Sequence, residues 1–333
     1  MNDSPTSNTH SSNTHSRAPI PGERTVRVTT GARLHFGLLD TAAPFGGVGV
    51  MVDQPATEIV VRPNAAFVAD DSIIGRATKI VTRLCHHVGW DGLPACQINL
   101  VAAPPSHCGL GSGTQLSMAI AESICAFFDV DIAAETLAVE IAGRGKRSAI
   151  GVHGYYAGGL IDERADSPTD LNPLNHRIEL PESWRVIVMR PKAEATTISG
   201  DTEIEQFSAL KLATAEAKSN LIHILDHEIL PAARAADFAT FASSVQRYNY
   251  ASGMFFASVQ GGPYHGEDVA RLIDETIGRG GHGVGQSSWG PGVFAWFESA
   301  GDLERFTDNL PADVDVIAKT KPKHQPRSIE IES

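Results

Sequence analysis

Three glycines at alternate positions, Gly109, Gly111 and Gly113, separate a proline-bounded stretch from an apolar run in PPSHCGLGSGTQLSMAIAESICAFF, residues 104–128. Leu116, Ile120, Ile124 and Phe127 then recur at the spacing of one buried helical face, so the stretch predicts a loop that feeds a helix. Glycine there permits backbone conformations and close approaches that a side chain would forbid. Ser112 and Thr114 stand where they can cap the helix and leave first-turn N–H groups directed outward, an arrangement that attracts an anion. The alternative is a glycine-rich turn that starts an ordinary core helix. The segment is not a Walker A loop, because the order G-x-x-x-x-G-K-[ST] and its lysine are absent, and it forms no dinucleotide fingerprint.

On either side the chain reads as strands first and helices later. TVRVTTGARLHFGLLD, from Thr25, alternates as a strand and breaks near Gly31 or Gly37, and PFGGVGVMVDQP and TEIVVRP continue the strand pattern. A helix is predicted from Ser72 to Trp90, a strand from Cys96 to Val101 and a short helix from Asp131 to Ile141. The glycines of GRGKRSAIGVHGYYAGG are then expected to interrupt helical structure. The polar segment ERADSPTDLNP, residues 163–173, is the expected lobe boundary. Beyond it come a strand at Trp184–Met189, helical regions at Glu203–Leu230 and Ala232–Phe256, a helix at 267–277, the strand GVFAWF, a short helix near Asp302 and the strand VDVIA. The pattern predicts an α+β fold of two-layer α/β sandwiches in two lobes, 23–172 and 173–320, between a disordered leader, 1–22, and a fraying tail, 321–333.

The 333 residues include 39 acidic and 27 basic side chains, a net charge of −12, which argues against a broad nucleic-acid surface or attachment to an anionic membrane but not against a local basic pocket. Cys85, Cys96, Cys108 and Cys125 form no CxxC or tight metal pattern and are expected to be reduced thiols. No stretch approaches the roughly 20 apolar residues of a membrane span. The Ser/Thr/Asn/Pro-rich leader lacks an apolar secretory core, so a cytoplasmic location is expected. His10 and His15 in that leader are assigned no role.

Pro104 or Pro105 followed by Gly109-Leu110-Gly111-Ser112 resembles the phosphate loop of the GHMP small-molecule kinase superfamily, P-x-x-x-G-L-G-S-S-A, with Gly113 and Thr114 in place of the usual Ser and Ala. A more specific likeness is carried by TGARLHFGLLD at 30–40, FGGVGVMVDQP at 45–55, HCGLGSGTQLSMAIA at 107–121, GRGKRSAIGVHGYYAGGLID at 143–162 and GVGQSSWGP at 283–291. Together they resemble the beta-ribofuranosylaminobenzene 5'-phosphate synthase family, in the same order from about residue 25 to about residue 318. The resemblance implies a ribosomal-S5-like first lobe, a ferredoxin-like second lobe and a homodimer. It also implies a decarboxylating glycosyltransferase of methanopterin biosynthesis, which joins phosphoribosyl pyrophosphate to 4-aminobenzoate or a close para-substituted benzoate and releases carbon dioxide and pyrophosphate. Two departures stand in the fourth motif: the pair Tyr155–Tyr156, and Glu163 after Asp162 where the family pattern has glycine.

Such a donor needs N–H groups and cations around its phosphate oxygens. Gly109, Gly111, Ser112, Gly113 and Thr114 are the candidates for the first, and Arg144, Lys146 and Arg147, with Arg33, for the second. Asp40, Asp53 and Asp162 end apolar or glycine-containing runs and are candidates to hold Mg²⁺ against the diphosphate, although each alone is more often a turn or cap residue. Arg33, His35 and His153 are the catalytic candidates: Arg33 for an anionic group and either histidine for a proton or hydrogen bond at the leaving group. Alternation places Arg33 and His35 on one strand face and Leu34 and Phe36 on the other. Ser287, Ser288 and Trp289 are candidates to receive the benzoate, Trp289 as an aromatic wall. An ATP-dependent small-molecule kinase would use the same amide cradle and cations, and a nonenzymatic anion-binding protein the same loop.

Overall fold

The computed structural model describes residues 22–192, 210 and 212–332, and within them the chain builds two sheets. The leader, apart from Gly22, and the first part of the helical region expected at Glu203–Leu230 lie outside the described residues. The first sheet contains β1 (Thr25–Leu38), β2 (Gly47–Arg62), β3 (Val68–Ala69), β4 (Gln97–Ala102), β5 (Leu160–Glu163), β6 (Leu174–Ile178) and β11 (Ser328–Glu332). The second contains β7 (Arg185–Pro191), β8 (His282–Gln286), β9 (Val293–Phe297) and β10 (Val314–Thr320), in the order β10-β7-β9-β8 and antiparallel throughout. In the first sheet only the β3–β4 pairing is parallel, so that sheet is mixed.

One strand pair serves two cores. Val26 and Val28 of β1 and Ile59 and Val61 of β2 pack with α1 (Ile74–Val88) and α2 (Ser112–Phe127) through Ile80, Leu84, Ile120, Ile124 and Phe127. Between Thr30 and Ala32 the register shifts at a bulge, and Ala32, Leu34 and Phe36 turn instead into a second core with Trp184, Phe241, Tyr248 and Trp296. A bulge exchanges the two faces of a strand, so the odd-numbered Arg33 and His35 are left facing away from that second core. Gly31 sits at the crossing, where a Cβ would overlap the carbonyl oxygen of Val52.

Three sequence expectations are corrected by this packing. The glycine-rich stretch after 143 does not break helical structure throughout: Ile150–Ala157 is an α-helix. Gly151 and Gly154 let it press close to Thr114 and Met51, and a Cβ at Gly154 would overlap the Met51 thioether. The lobe boundary expected at 163–173 is the connection of a hairpin within the first sheet, because β6 pairs with β5, and the second sheet begins only at Arg185. Residues 321–333 do not fray, since β11 is an edge strand on β1 and Arg327 reaches the buried Glu122 carboxylate, Nε to Oε2 at 2.8 Å with a second, shorter contact. Tyr155 donates its hydroxyl hydrogen to the same carboxylate.

Removing one partner of a largely buried ion pair strands the other, so Arg327→Ala should lower the unfolding free energy by about 3 kcal/mol. Urea denaturation checks this, with no change expected in the far-ultraviolet signature of the helices.

Candidate active site

The loop before α2 is held in shape by two contacts of its backbone carbonyls. Gly109 and Gly111 have φ of 73° and 67°, and His107 also adopts a left-handed conformation, at 60°. The Arg33 N–H donates to the Leu110 carbonyl at 2.9 Å. The Ser287 hydroxyl donates to the Gly109 carbonyl at 2.7 Å and accepts the His35 N–H at 3.0 Å. Gly111 itself is the cap of α2, without a side-chain cap bond, so the capping expected of Ser112 and Thr114 is not what starts the helix. Ser112 is already its first residue.

Around that helix start stand guanidinium groups from three elements. Arg33 lies over Gly111, close enough that a Cβ there would be 3.1 Å from its own Cβ. Arg144 reaches Ser117 Oγ through Nη2 at 3.0 Å, and Arg76 of α1 reaches the same oxygen at 3.1 Å and the Gly113 carbonyl at 3.0 Å. Arg76 was missed in the sequence. Its signal was a cation at a stripe position, three residues after the buried Ile73 and four before the buried Ile80.

Beside this cluster opens a cleft of about 520 Å³ between the two sheets' halves of the molecule. One wall comes from β1 and the loop after 142 and carries Arg33, His35, Arg144, Lys146, Arg147 and Ser148, together with Thr114. The rest of the lining, a second wall from helix Phe238–Gly253 and the segments 256–263 and 286–289, includes Asn249, Phe256, Gln260, Gln286, Ser288 and Trp289 and bears no charged side chain among the described residues. Trp289 meets Phe256 edge to face with ring centroids 5.1 Å apart. Among the described residues no aspartate or glutamate lines either part.

His35 is buried, with Nε2 3.3 Å from Ser148 Oγ. Burial, then the neighbouring Arg33, holds its pKa well below that of an ordinary histidine, so the ring is neutral near pH 7. His153 is not brought to the cleft: its Nε2 stands 2.7 Å from the Asn172 carbonyl, and burial lowers its pKa too. Ser287 lies wholly buried behind the wall, and Gly109, Gly111, Ser112 and Gly113 also lie outside the cleft lining. Cys108 is buried at the back of the loop, its thiol pKa raised by desolvation against the opposing pull of Arg190.

The three candidate metal ligands are not brought together. Asp40 caps the turn at Thr41 and Ala42 and pairs with Lys218, Asp53 faces Lys321 at 3.9 Å, and the buried Asp162 takes Arg164 and His176, each at 2.9 Å. None lines the cleft, and among the described residues no group of three or more His, Cys, Asp and Glu side chains is arranged to hold a metal ion. The three aspartates therefore do not converge on one ion.

Two family models match the chain, GHMP kinases N terminal domain over residues 74–162 and GHMP kinases C terminal over residues 229–315. The chain is similar to two curated proteins named beta-ribofuranosylphenol 5'-phosphate synthase. With that of Methanothermobacter thermautotrophicus it shares 28% identity over 300 residues, 80% of this chain and 87% of that protein. With that of Archaeoglobus fulgidus it shares 26% over 328 residues, 92% and 99% of the two. Among solved structures, homoserine kinase from Cytophaga hutchinsonii has the same fold, with a TM-score of 0.61 at 16% identity over 92% of this chain and 97% of that one.

The glycines differ in what they tolerate. Gly109 combines a left-handed backbone, worth about 1–3 kcal/mol of strain for other residues, with a Cβ position that overlaps the Ser287 carbonyl oxygen. Gly113 lies in the first turn of α2, and a Cβ there would make ordinary contacts of 3.5–3.7 Å with Arg76 and Arg144. Thermal melting should show Gly109→Ala strongly destabilised and Gly113→Ala unfolding no lower than the wild type.

Proposed function

Since the chain is a GHMP-kinase-superfamily enzyme related to the beta-ribofuranosylphenol 5'-phosphate synthases, we propose that it transfers a phosphoribosyl group from phosphoribosyl pyrophosphate to a para-substituted benzoate, in methanopterin biosynthesis. The observation that carries this reading is the lining of the cleft: among the described residues a basic part without a carboxylate adjoins an uncharged part with an aromatic corner. Both substrates are anions, and one is a flat ring.

The basic wall serves the donor. Arg33, Arg144, Lys146 and Arg147 surround charge that grows on the diphosphate as its bond to ribose C1 breaks, and fixed cations in a dehydrated cleft stabilise that charge without reorganising. A magnesium ion, if carried in by the diphosphate, would add charge neutralisation there, held by phosphate oxygens and water.

The uncharged wall serves the acceptor, with Phe256 and Trp289 excluding water and aligning the ring. The ring carbon that bears the carboxylate forms the new bond to ribose C1. The carbon–carbon bond to the carboxylate then breaks, its electrons restore the aromatic ring, and carbon dioxide leaves. Neutral His35 acts as a hydrogen-bond acceptor for the para substituent, drawing electron density toward the attacking carbon, rather than as a charged acid at the leaving group. Gln260 favours an amino substituent over a hydroxyl. Its Oε1 is buried in the acceptor wall without a hydrogen-bond partner among the described residues, and only the amino group has a second N–H to give it.

Incubation with phosphoribosyl pyrophosphate and carboxyl-labelled 4-aminobenzoate or 4-hydroxybenzoate tests the reading, with labelled carbon dioxide and pyrophosphate expected in equal amounts. Production of ADP from ATP that depends on an added alcohol or sugar, with no carbon dioxide released, would instead assign a kinase. Arg144→Ala should cost about 1.5–3 kcal/mol in kcat/KM for the donor, the loss typical of a charged hydrogen bond. His35→Ala should slow carbon dioxide release at least roughly tenfold, while Cys108→Ser retains most activity. Gln260→Met should narrow the preference for 4-aminobenzoate over 4-hydroxybenzoate when kcat/KM is compared for the two.

A further inference from the structure

A carboxyl group that the chemistry above does not use lies beneath His35. Glu163 is fully buried at the end of β5, where its register partner on β2 is Gly47. Paired residues of neighbouring strands project on the same face of the sheet. On that face a Cβ at Gly47 would stand 3.5 Å from His35 Nε2, so the histidine ring and the glutamate side chain share the space that this glycine leaves open. Glu163 Oε1 accepts the Ala149 N–H at 3.0 Å, while Oε2 is buried with no hydrogen-bond partner among the described residues. The residue before Ala149 is Ser148, whose hydroxyl is 3.3 Å from His35 Nε2. That hydroxyl also favours the ionised form of Glu163, short of a well-formed hydrogen bond.

We propose that Glu163, acting through the Ser148 hydroxyl, is the positioning residue that fixes His35 as its Nε2–H tautomer and leaves the other ring nitrogen as the acceptor. In the line His35 Nε2–H to Ser148 Oγ, and Ser148 O–H to Glu163 Oε2, the imidazole and the hydroxyl can each donate and accept whereas the carboxylate can only accept, so it sets the direction of the whole line. No bond is made or broken in it. The line runs in that direction where Glu163 is ionised, above a pH of about 7. Burial pushes the Glu163 carboxyl up to about 7, with Asp162 of its own strand adding to the rise, while Asn172, the Ala149 N–H and Ser148 oppose it. On the other side Arg33 disfavours a second proton on His35. The role in turnover rests on His35 acting at the acceptor as proposed above, whereas the tautomer does not depend on any substrate.

The test uses the full chain labelled with ¹⁵N-histidine, observed by long-range proton–nitrogen correlation at pH 8, with the His35 signals assigned by their loss in His35→Asn. The wild type should show one tautomer, Nε2–H. Glu163→Gln and Ser148→Ala should each give a mixture or the Nδ1–H form, and Ser148→Thr should restore the wild-type pattern. In turnover, Glu163→Gln should lower kcat roughly fivefold to tenfold with the donor KM unchanged, yet change activity less than twofold when added to His35→Ala. An unaltered His35 tautomer in both Glu163→Gln and Ser148→Ala would overturn the proposal, as would an equal loss from Glu163→Gln with and without His35. If Glu163→Gln does not fold, the Ser148→Ala and Ser148→Thr pair decides. A wild type with the Nε2–H tautomer but no carbon dioxide release would refute the proposed reaction and leave the positioning line standing.

Discussion

The hydroxyl of Ser287 holds together the three pieces from which the cleft is made. It is wholly buried, donates to the Gly109 carbonyl and accepts the His35 N–H, so one oxygen joins the second lobe, the loop before α2 and β1. The contact is possible because the partner surfaces are bare: Gly109, Gly290 and Gly292 all lie where a Cβ would overlap the facing backbone. A backbone-to-backbone seam of this kind has little freedom to slide, since neither side has a flexible side chain that can yield. The spacing between the charged and uncharged walls is therefore set at the seam and not by the residues that line the cleft.

The charge distribution follows from the same division. The chain carries a net charge of −12, yet among the described residues no acidic side chain lines the cleft. The aspartates nearest in sequence to the site motifs are engaged elsewhere: Asp40 with Lys218, Asp53 with Lys321 and Asp162 with Arg164 and His176. Excluding carboxylates from a cleft flanked by several guanidinium groups leaves a local positive potential that the overall composition conceals. Net charge describes what the surface repels, while the few groups around a concave site decide what it accepts.

Much of this was legible in the chain because it depends on local pattern. The alternating glycines and the Leu116, Ile120, Ile124 and Phe127 stripe mark the loop and α2, and the alternation of Leu34 and Phe36 against Arg33 and His35 marks a strand with two different faces. What was not legible depends on distant partners. β11 is exposed and polar, and only its pairing with β1 and the reach of Arg327 to Glu122 make it structural. Ile150–Ala157 defies its glycine content because Gly151 and Gly154 exchange intrinsic helix propensity for close packing on Thr114 and Met51. Arg76 reads as an ordinary charge, and Glu163 only as a departure from the family pattern, until tertiary burial gives each a neighbour that matters.

The bulge at Gly31 connects these levels. With regular pairing, the even-numbered residues of β1 would all face α1 and α2, and Leu34 and Phe36 would compete with the loop for the space in front of α2. The register shift between Thr30 and Ala32 sends them instead into the second core, against Phe241 and Trp296, and turns Arg33 and His35 toward the cleft. The hydrophobic gain from burying Leu34 and Phe36, roughly 1.5–3 kcal/mol for each side chain, thus opposes any slip that would bring Arg33 and His35 out of the cleft. A one-residue slip would bury a guanidinium in an aromatic core, which is far costlier than losing a ladder hydrogen bond. The apolar half of the strand is in this way what holds its polar half in place, and the site inherits its precision from the core behind it.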